Sequence, residues 1–324
     1  MIGAICRNGT GLPSLAPQIS VSSPDPDLHQ IVRARNTPPL FDWMVETFSF
    51  QGISDRVAAS YLHAHGGITW HEISQMVRDP ACPLLDSYWT YESCRYDKTR
   101  RTCSHPRYIR RCPVPKAPLR NGHLNQTAFS FFLFVRDVAD SDLFGWIDDQ
   151  LAATGELGDR SAQEALVGPT RHVFGVSDKV LTMTLSSVLM ADREARPDWY
   201  AVGIAMIVVD RLVHNFLVRT GILEQLGMVH PYGPRCYADG GCAEVLRRVS
   251  AQIDARQFDC DFPADFPRFV QHALWRYCAA DGLNVCNGNN IKSCDLSSCI
   301  VHSNCAKKAL YNLFFCAVFR RLKY

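Results

Sequence analysis

Apolar positions along most of this chain recur at three- and four-residue intervals, the spacing that lines one face of an α-helix. Residues 39–50 (PLFDWMVETFSF) and 54–67 (SDRVAASYLHAHGG) predict two amphipathic helices separated by Gln51-Gly52-Ile53. Gly66-Gly67 ends the second, and Thr69 with Glu72 three residues on predicts a capped start for a third helix over 69–79. The helical period fades across residues 80–120, where Pro, Cys and Arg predict irregular structure, and returns over 125–139, 142–155 and 161–174. A short turn then leads into the apolar run 180–190, followed by 199–223, 242–255 and 263–282. Period-two alternation is scarce, so the expected class is all-α. Residues 1–36, rich in Pro, Ser and Gly, predict a flexible leader.

Composition narrows the picture. The 324 residues, 47% hydrophobic and 20% charged, suit a globular protein of one large or two ordinary domains. The longest apolar run, near Ala201–Val209, falls far short of the ~20 residues a bilayer requires. No apolar signal core marks the N-terminus, which predicts an intracellular protein, cytoplasmic or nucleoid-associated, with no membrane partner.

The net charge of +2 is uninformative, but its distribution is not. Between Cys94 and Arg120 lie Arg95, Lys98, Arg100, Arg101, Arg107, Arg110, Arg111, Lys116 and Arg120 against the single acid Asp97, with Tyr96 and Tyr108 interleaved. Such a block suits phosphate contacts, or is a solvated basic loop.

Fourteen cysteines are the strongest compositional anomaly, and inside a reducing compartment clustered cysteines point to metal rather than disulfides. Cys286, Cys294, Cys299 and Cys305 form a C-x7-C-x4-C-x5-C run. It lacks the paired C-x2-C knuckles usual for structural zinc, and its wider loops suit a [4Fe–4S] cube; zinc and unligated thiols are the alternatives. Cys278, at the end of the preceding helix, competes with Cys286 as first ligand. A second set, Cys94, Cys103, His105 and Cys112, is a candidate for an additional zinc ion, or only a cysteine-bearing basic loop.

One lysine is oddly placed: Lys179 stands at the start of the apolar run 180–190, just after Gly175-Val176-Ser177-Asp178. Asp210 follows 31 residues later in Val208-Val209-Asp210-Arg211, at the mouth of another apolar helix. Three features therefore occur in order: the GVSDK turn, the IVVDRLVHNFLVR segment and the four-cysteine loop after LWRYC. This order resembles the helix-hairpin-helix DNA glycosylases of the endonuclease III superfamily, in an iron–sulfur-bearing, divergent form. Gly175, Val176 and Lys179 match the family's hairpin; Val209, Asp210, Val213 and Arg219 match its aspartate motif; Gln51 matches a wedge glutamine. Ser177 stands where the family has a second glycine, Phe174 where it has proline, and residues 80–126 have no counterpart.

The resemblance implies a two-lobed all-α helix-hairpin-helix fold with a C-terminal iron–sulfur cluster loop. A helical barrel over 50–195 would carry the hairpin, and 37–49 would pack with 196–324 as the cluster lobe. It implies a monomeric enzyme that acts on double-stranded DNA containing a modified base. The base is flipped out and its N-glycosidic bond cleaved. Asp210 would stabilise the cationic sugar, and a buried, deprotonated Lys179 would attack C1′ and permit strand cleavage as an AP lyase. Without that nucleophile, Asp210 would activate water instead; Asp210 as a helix cap and Lys179 as a surface residue are the plainer readings. Backbone amides at Gly175, Val176 and Ser177 would hold a phosphate, Gln51 would fill the gap left by the base, and Arg120 and Asn125 would read base edges. His214 and Asn215, one turn past Asp210, would line the pocket or lie outside it. The rival readings are a non-catalytic iron–sulfur DNA-binding or sensing protein on the same scaffold, and a zinc-stabilised structural module.

Overall fold

The computed structural model describes residues 1–10, 26–53, 55–154, 159–280, 282–286 and 296–310. Among them lie fifteen α-helices and one two-stranded ribbon, so the mainly helical class expected from the periodicity holds. The chain divides into two compact units, one of residues 25–202 and the other of residues 1–24 with 203–324.

The helices in chain order are α1 (Ile2–Thr10), α2 (Pro26–Ala34), α3 (Thr37–Phe48), α4 (Asp55–His65), α5 (Trp70–Met76) and α6 (Tyr88–Tyr91). The ribbon β1 (Tyr96–Asp97) and β2 (Thr102–Cys103) follows, antiparallel, with Tyr96 opposite Cys103. Then come α7 (Asn125–Asp137), α8 (Leu143–Thr154), α9 (Asp159–Thr170), α10 (Asp178–Met190) and α11 (Pro197–Ala205). The last four are α12 (Arg211–Arg219), α13 (Ile222–Gln225), α14 (Cys242–Ser250) and α15 (Pro267–Cys278).

The 25–202 unit is built around α7, whose Ala128, Phe129, Phe131, Phe132, Leu133, Phe134 and Val135 are all buried. A helix apolar on every side must be wrapped by neighbours. Phe41 of α3 stacks on Phe131 at 5.2 Å, and Trp70 of α5 lies 4.4 Å from the Phe132 ring. The start of α5 is the capping box expected from Thr69 and Glu72: the Glu72 amide donates to Thr69 Oγ1 at 3.3 Å, and the Thr69 amide donates to Glu72 Oε2 at 2.8 Å. The arginine-rich stretch expected to be irregular holds α6, the ribbon and short 3-10 turns.

Two boundaries differ from expectation. Residues 37–49 do not join the C-terminal half: α3 packs on α2, α5, α7 and α10 of its own unit, burying Leu40, Phe41, Met44, Val45 and Phe48. The N-terminal helix that does pack there is α1, against α15. Residues 1–36 are thus not a leader throughout. Ile2, Ile5 and Cys6, at i, i+3 and i+4, form a buried stripe on α1, and Leu28 and Val32 do the same on α2.

Candidate metal centre

The sharpest cluster of chemistry-bearing side chains lies in the unit formed by residues 1–24 and 203–324. His214, His230, Cys236 and Cys242 are all buried, and their ligand atoms lie within 4.8 Å of one another. His214 sits on the inner face of α12 with Val213, Phe216 and Leu217. His230 and Cys236 belong to the loop after α13, and Cys242 is the first residue of α14.

Local backbone geometry draws these four together. Gly241 packs so closely on the preceding turn that a Cβ would lie 2.3 Å from the Arg235 carbonyl oxygen and 2.6 Å from that of Cys236. Only glycine lets the chain fold back and bring Cys242 beside Cys236. His214 Nδ1 is 3.3 Å from Cys242 Sγ and 3.6 Å from Cys236 Sγ, and His230 Nε2 is 3.4 Å from Cys242 Sγ. His230 Nδ1 lies 2.7 Å from the Met228 carbonyl oxygen. A carbonyl can only accept, so Nδ1 carries a proton and Nε2 is the atom that faces the cluster. A ligand imidazole held this way by its far nitrogen is the usual outer support of a metal site.

The electrostatics agree. The Cys242 thiol donating to Cys236, and then both imidazoles, pull Cys236 down towards the thiolate against its burial, while Cys242 is raised in consequence. His230 is raised chiefly by its contact with Cys236, again against burial. The group is compatible with a bound metal or cluster.

Asp210 lies beside this centre. It is extended, 9% exposed, and caps α12: its Oδ1 accepts from the Val213 amide at 2.8 Å. The capping reading is therefore realised, one helical turn before His214. On the other flank Tyr237, next to Cys236, accepts from the Val209 amide at 3.0 Å and donates to the Val209 carbonyl at 3.2 Å. Residues 209–214 are thus held both by the helix that carries His214 and by the loop that carries Cys236. The Tyr232 ring lies tilted 5.7 Å from that of His214 and under Arg211, and its phenol is raised by burial and then by the charge of Asp210.

The C-terminal cysteines lie partly outside the described residues, Cys294 among them. Cys286 is lowered to about 7, first by the Cys278 thiol donating to it, so these two sulfurs face each other. Cys299 Sγ is 3.0 Å from the Tyr277 hydroxyl. Cys305 accepts from the Lys307 amide at 3.4 Å, and the chain beyond it is bonded to the end of α12 through Lys308 N and Arg219 O at 2.9 Å.

In the 25–202 unit the GVSDK turn does join two packed helices, α9 and α10. Gly175 is exposed with φ +77°, and a Cβ there would lie 2.9 Å from Thr127 Oγ1, so the turn requires glycine. Arg171 binds Glu164 on α9 and, at 3.1 Å, Asp178 on α10, clamping the hairpin. Ser177 takes the N-cap position, but its hydroxyl does not cap the helix. Its Oγ and amide instead donate to Gln51 Oε1 at 2.8 and 3.1 Å, so the tip of Gln51 is held by the hairpin. Arg120 donates to the Gln51 carbonyl, which gathers Arg120, Gln51 and Ser177 into one network. Val176 is half-buried.

Two expectations need correction. Asn125 does not face a base. It is fully buried, and its Nδ2 donates to the carbonyls of Val114 at 2.8 Å and Ala117 at 2.6 Å, closing the loop before α7. Lys179 is half-buried rather than enclosed by the apolar run it precedes, because Val180, Leu181 and Leu185 turn inward without it.

The H-x15-H-x5-C-x5-C set escaped sequence reading, although Gly240-Gly241-Cys242 after Cys236 was a visible sign of a tight cysteine loop. Comparison with known protein families, with characterised proteins and with solved structures returned no match.

Proposed function

We propose that this protein is a DNA glycosylase that removes a damaged or modified base from duplex DNA by cleaving its N-glycosidic bond. The observation that carries the reading is Asp210, a nearly buried carboxylate whose Oδ1 is held by the Val213 amide at the N-terminus of α12, next to Val209, whose backbone Tyr237 holds. Positive charge on a sugar whose base is leaving is best met by a carboxylate that need not reorganise. The exposed Gly175 turn supports the reading from the other unit, since amides at such a turn suit a backbone phosphate.

The half-buried Lys179 favours the monofunctional form, in which Asp210 orients and activates water, over attack by the lysine. The alternative is a non-catalytic DNA-binding or sensing protein that keeps the scaffold alone.

We assign zinc to the His214 centre. With ~2.3 Å to sulfur and ~2.0–2.1 Å to nitrogen, a tetrahedral zinc separates its S and N ligands by about 3.5 Å. The three spacings here are 3.3, 3.4 and 3.6 Å. Two thiolates and two imidazoles leave no open position, which marks a structural site whose work is to hold the segment that carries Asp210. Cys286, Cys294, Cys299 and Cys305 remain the set proposed for a [4Fe–4S] cluster, with Cys278 as the substitute for Cys286.

The test is base release from a panel of modified-base duplexes, with borohydride trapping in parallel. Release that is lost in Asp210→Asn supports the glycosylase; a trapped adduct that disappears in Lys179→Ala would restore the lyase step. Neither release nor adduct on any duplex leaves the non-catalytic reading.

A further inference from the structure

The arginine-rich stretch takes no part in the proposed reaction, yet its backbone is closely tied. At the tip of the ribbon, between β1 and β2, stand Lys98, Arg100 and Arg101. There Asp97 Oδ1 accepts from the amides of Thr99 at 2.9 Å and Arg100 at 3.0 Å. Just outside the ribbon, Ser104 Oγ donates to the Arg95 carbonyl at 2.6 Å. Further on, the amides of Arg111 and Cys112 both donate to the Tyr108 carbonyl, at 2.9 and 2.8 Å, which winds Arg107, Arg110 and Arg111 into consecutive turns.

The charge of this stretch is left uncompensated. Arg95, Lys98, Arg107, Arg110, Arg111 and Lys116 are all exposed, and among the described residues none of these six side chains makes a hydrogen bond, an ion pair or a ring contact. Asp97, the single acid between Cys94 and Arg120, lies 3.7 Å from Arg100, and Arg101 Nη1 donates to Asn121 Oδ1 at 2.6 Å. An ordinary surface mixes both signs, whereas like charges held together repel one another and are relieved by a polyanion. Ile109 is the one large apolar side chain exposed among residues 94–120, so the stretch lacks the apolar face that a membrane-surface element buries.

Contacts within the 25–202 unit root this surface beside the Gly175 turn. The Tyr96 hydroxyl of β1 donates to the Gly122 carbonyl at 2.6 Å, next to the Asn121 that Arg101 holds. One residue back, Arg120 donates to the carbonyl of Gln51, whose side chain Ser177 holds at 2.8 Å. By a separate route the Phe174 ring, adjoining Gly175, lies 5.7 Å from that of Tyr91 on α6, and Gln126 Nε2 donates to the Cys94 carbonyl at 3.3 Å. We infer that residues 95–116 are a second phosphate-binding surface, which grips duplex DNA through its backbone independently of the base to be removed. Such contacts add affinity and fix orientation without reading sequence, and a surface already tied in place loses little freedom on binding. The inference rests on duplex DNA being the partner, as proposed above, and not on the chemistry at Asp210.

The test is binding of an unmodified duplex by the full chain, followed by fluorescence anisotropy over about 50–200 mM salt. Each phosphate neutralised contributes about 0.9 to the salt slope, so that of Arg107→Gln/Arg110→Gln/Arg111→Gln should be shallower by ~2.7, a loss across that range about fortyfold smaller than in the unaltered protein. Arg33→Gln/Arg78→Gln, which removes exposed charge elsewhere in the same unit, should leave the slope as it was. An unchanged slope in the triple variant, or an equal loss per charge in the control, overturns the inference. So does binding of phosphatidylserine vesicles that the triple variant loses while it keeps its grip on the duplex. A slope that falls in the triple variant alone sustains the inference even where no duplex releases a base, so this reading and the glycosylase reading fail separately. Should the triple variant fail to fold, acetylation of the unaltered protein decides. Duplex should shield Lys98 and Lys116 from the reagent, read by peptide mass spectrometry, and equal labelling with and without duplex refutes the surface.

Discussion

Replacing Asp210 separates its two roles, because alanine and asparagine remove different things. Asp210→Ala deletes the acceptor of the 2.8 Å bond from the Val213 amide and leaves that N–H without its cap. Loss of an N-cap costs about 1 kcal/mol, within a range of roughly 0.5–2. In a folding unit of ~150 residues, 1 kcal/mol lowers Tm by about 2–4 °C. Asparagine caps helices about as well as aspartate, so Asp210→Asn should melt within about a degree of the unaltered protein. It cannot supply charge, however, and removing a fixed electrostatic stabiliser of a transition state slows reaction by about 10²–10³, or roughly 2.7–4 kcal/mol. The assays are calorimetric melting of both variants and single-turnover base release on whichever duplex proves to be a substrate. A pair of results fits the reasoning: Ala less stable than Asn, and both slow. Base release by Asp210→Asn within about threefold of normal would refute the catalytic role, and equal melting of the two variants would refute the cap.

Three further outcomes follow from particular contacts. Stripping metal from the His214 centre by chelation, or by Cys236→Ser, should lower Tm and make it depend on added zinc; free metal at a thousandfold excess over Kd contributes about 4 kcal/mol, and a melt indifferent to chelator would contradict the assignment. Gly175→Ala places a side chain at φ +77° and 2.9 Å from Thr127 Oγ1, so it should destabilise by at least about 1–2 kcal/mol and weaken duplex binding, measured by urea unfolding and fluorescence anisotropy. His272 is lowered to about 3 by burial and then by Arg268 and Arg276, and its Nε2 is shielded without a partner. From about pH 6.5 down to 3 the unfolded chain therefore binds a proton that the folded one refuses, so stability falls with pH by up to ~1.4 kcal/mol per unit and is unaffected above pH 6.5. Urea titrations at pH 7, 5.5 and 4.5 should show that slope reduced in His272→Gln; an unchanged slope would place its origin elsewhere.

Much of this protein is written in its local pattern. The apolar repeat, the Thr69–Glu72 box and Gly175 each act within a turn or two, so the helical class, the start of α5 and the hairpin between α9 and α10 could be read directly. The stripe of Ile2, Ile5 and Cys6 was equally legible, but the proline- and serine-rich stretch after it obscured the helix. Composition carries no phase, whereas a three-residue stripe does.

What tertiary structure alone decided is which distant residues meet. Asn125 and Arg120 look alike as polar loop residues, yet one is spent inside the fold and the other reaches Gln51. The cysteine spacing drew attention to the C-terminal run, while the closed Cys₂His₂ group forms from residues spread over 29 positions and joined by a backbone approach at Gly241. Periodicity records which way a side chain faces from its own helix. It does not record which other face it will meet, because that depends on how helices pack and how loops close between them, and those are properties of the assembled chain.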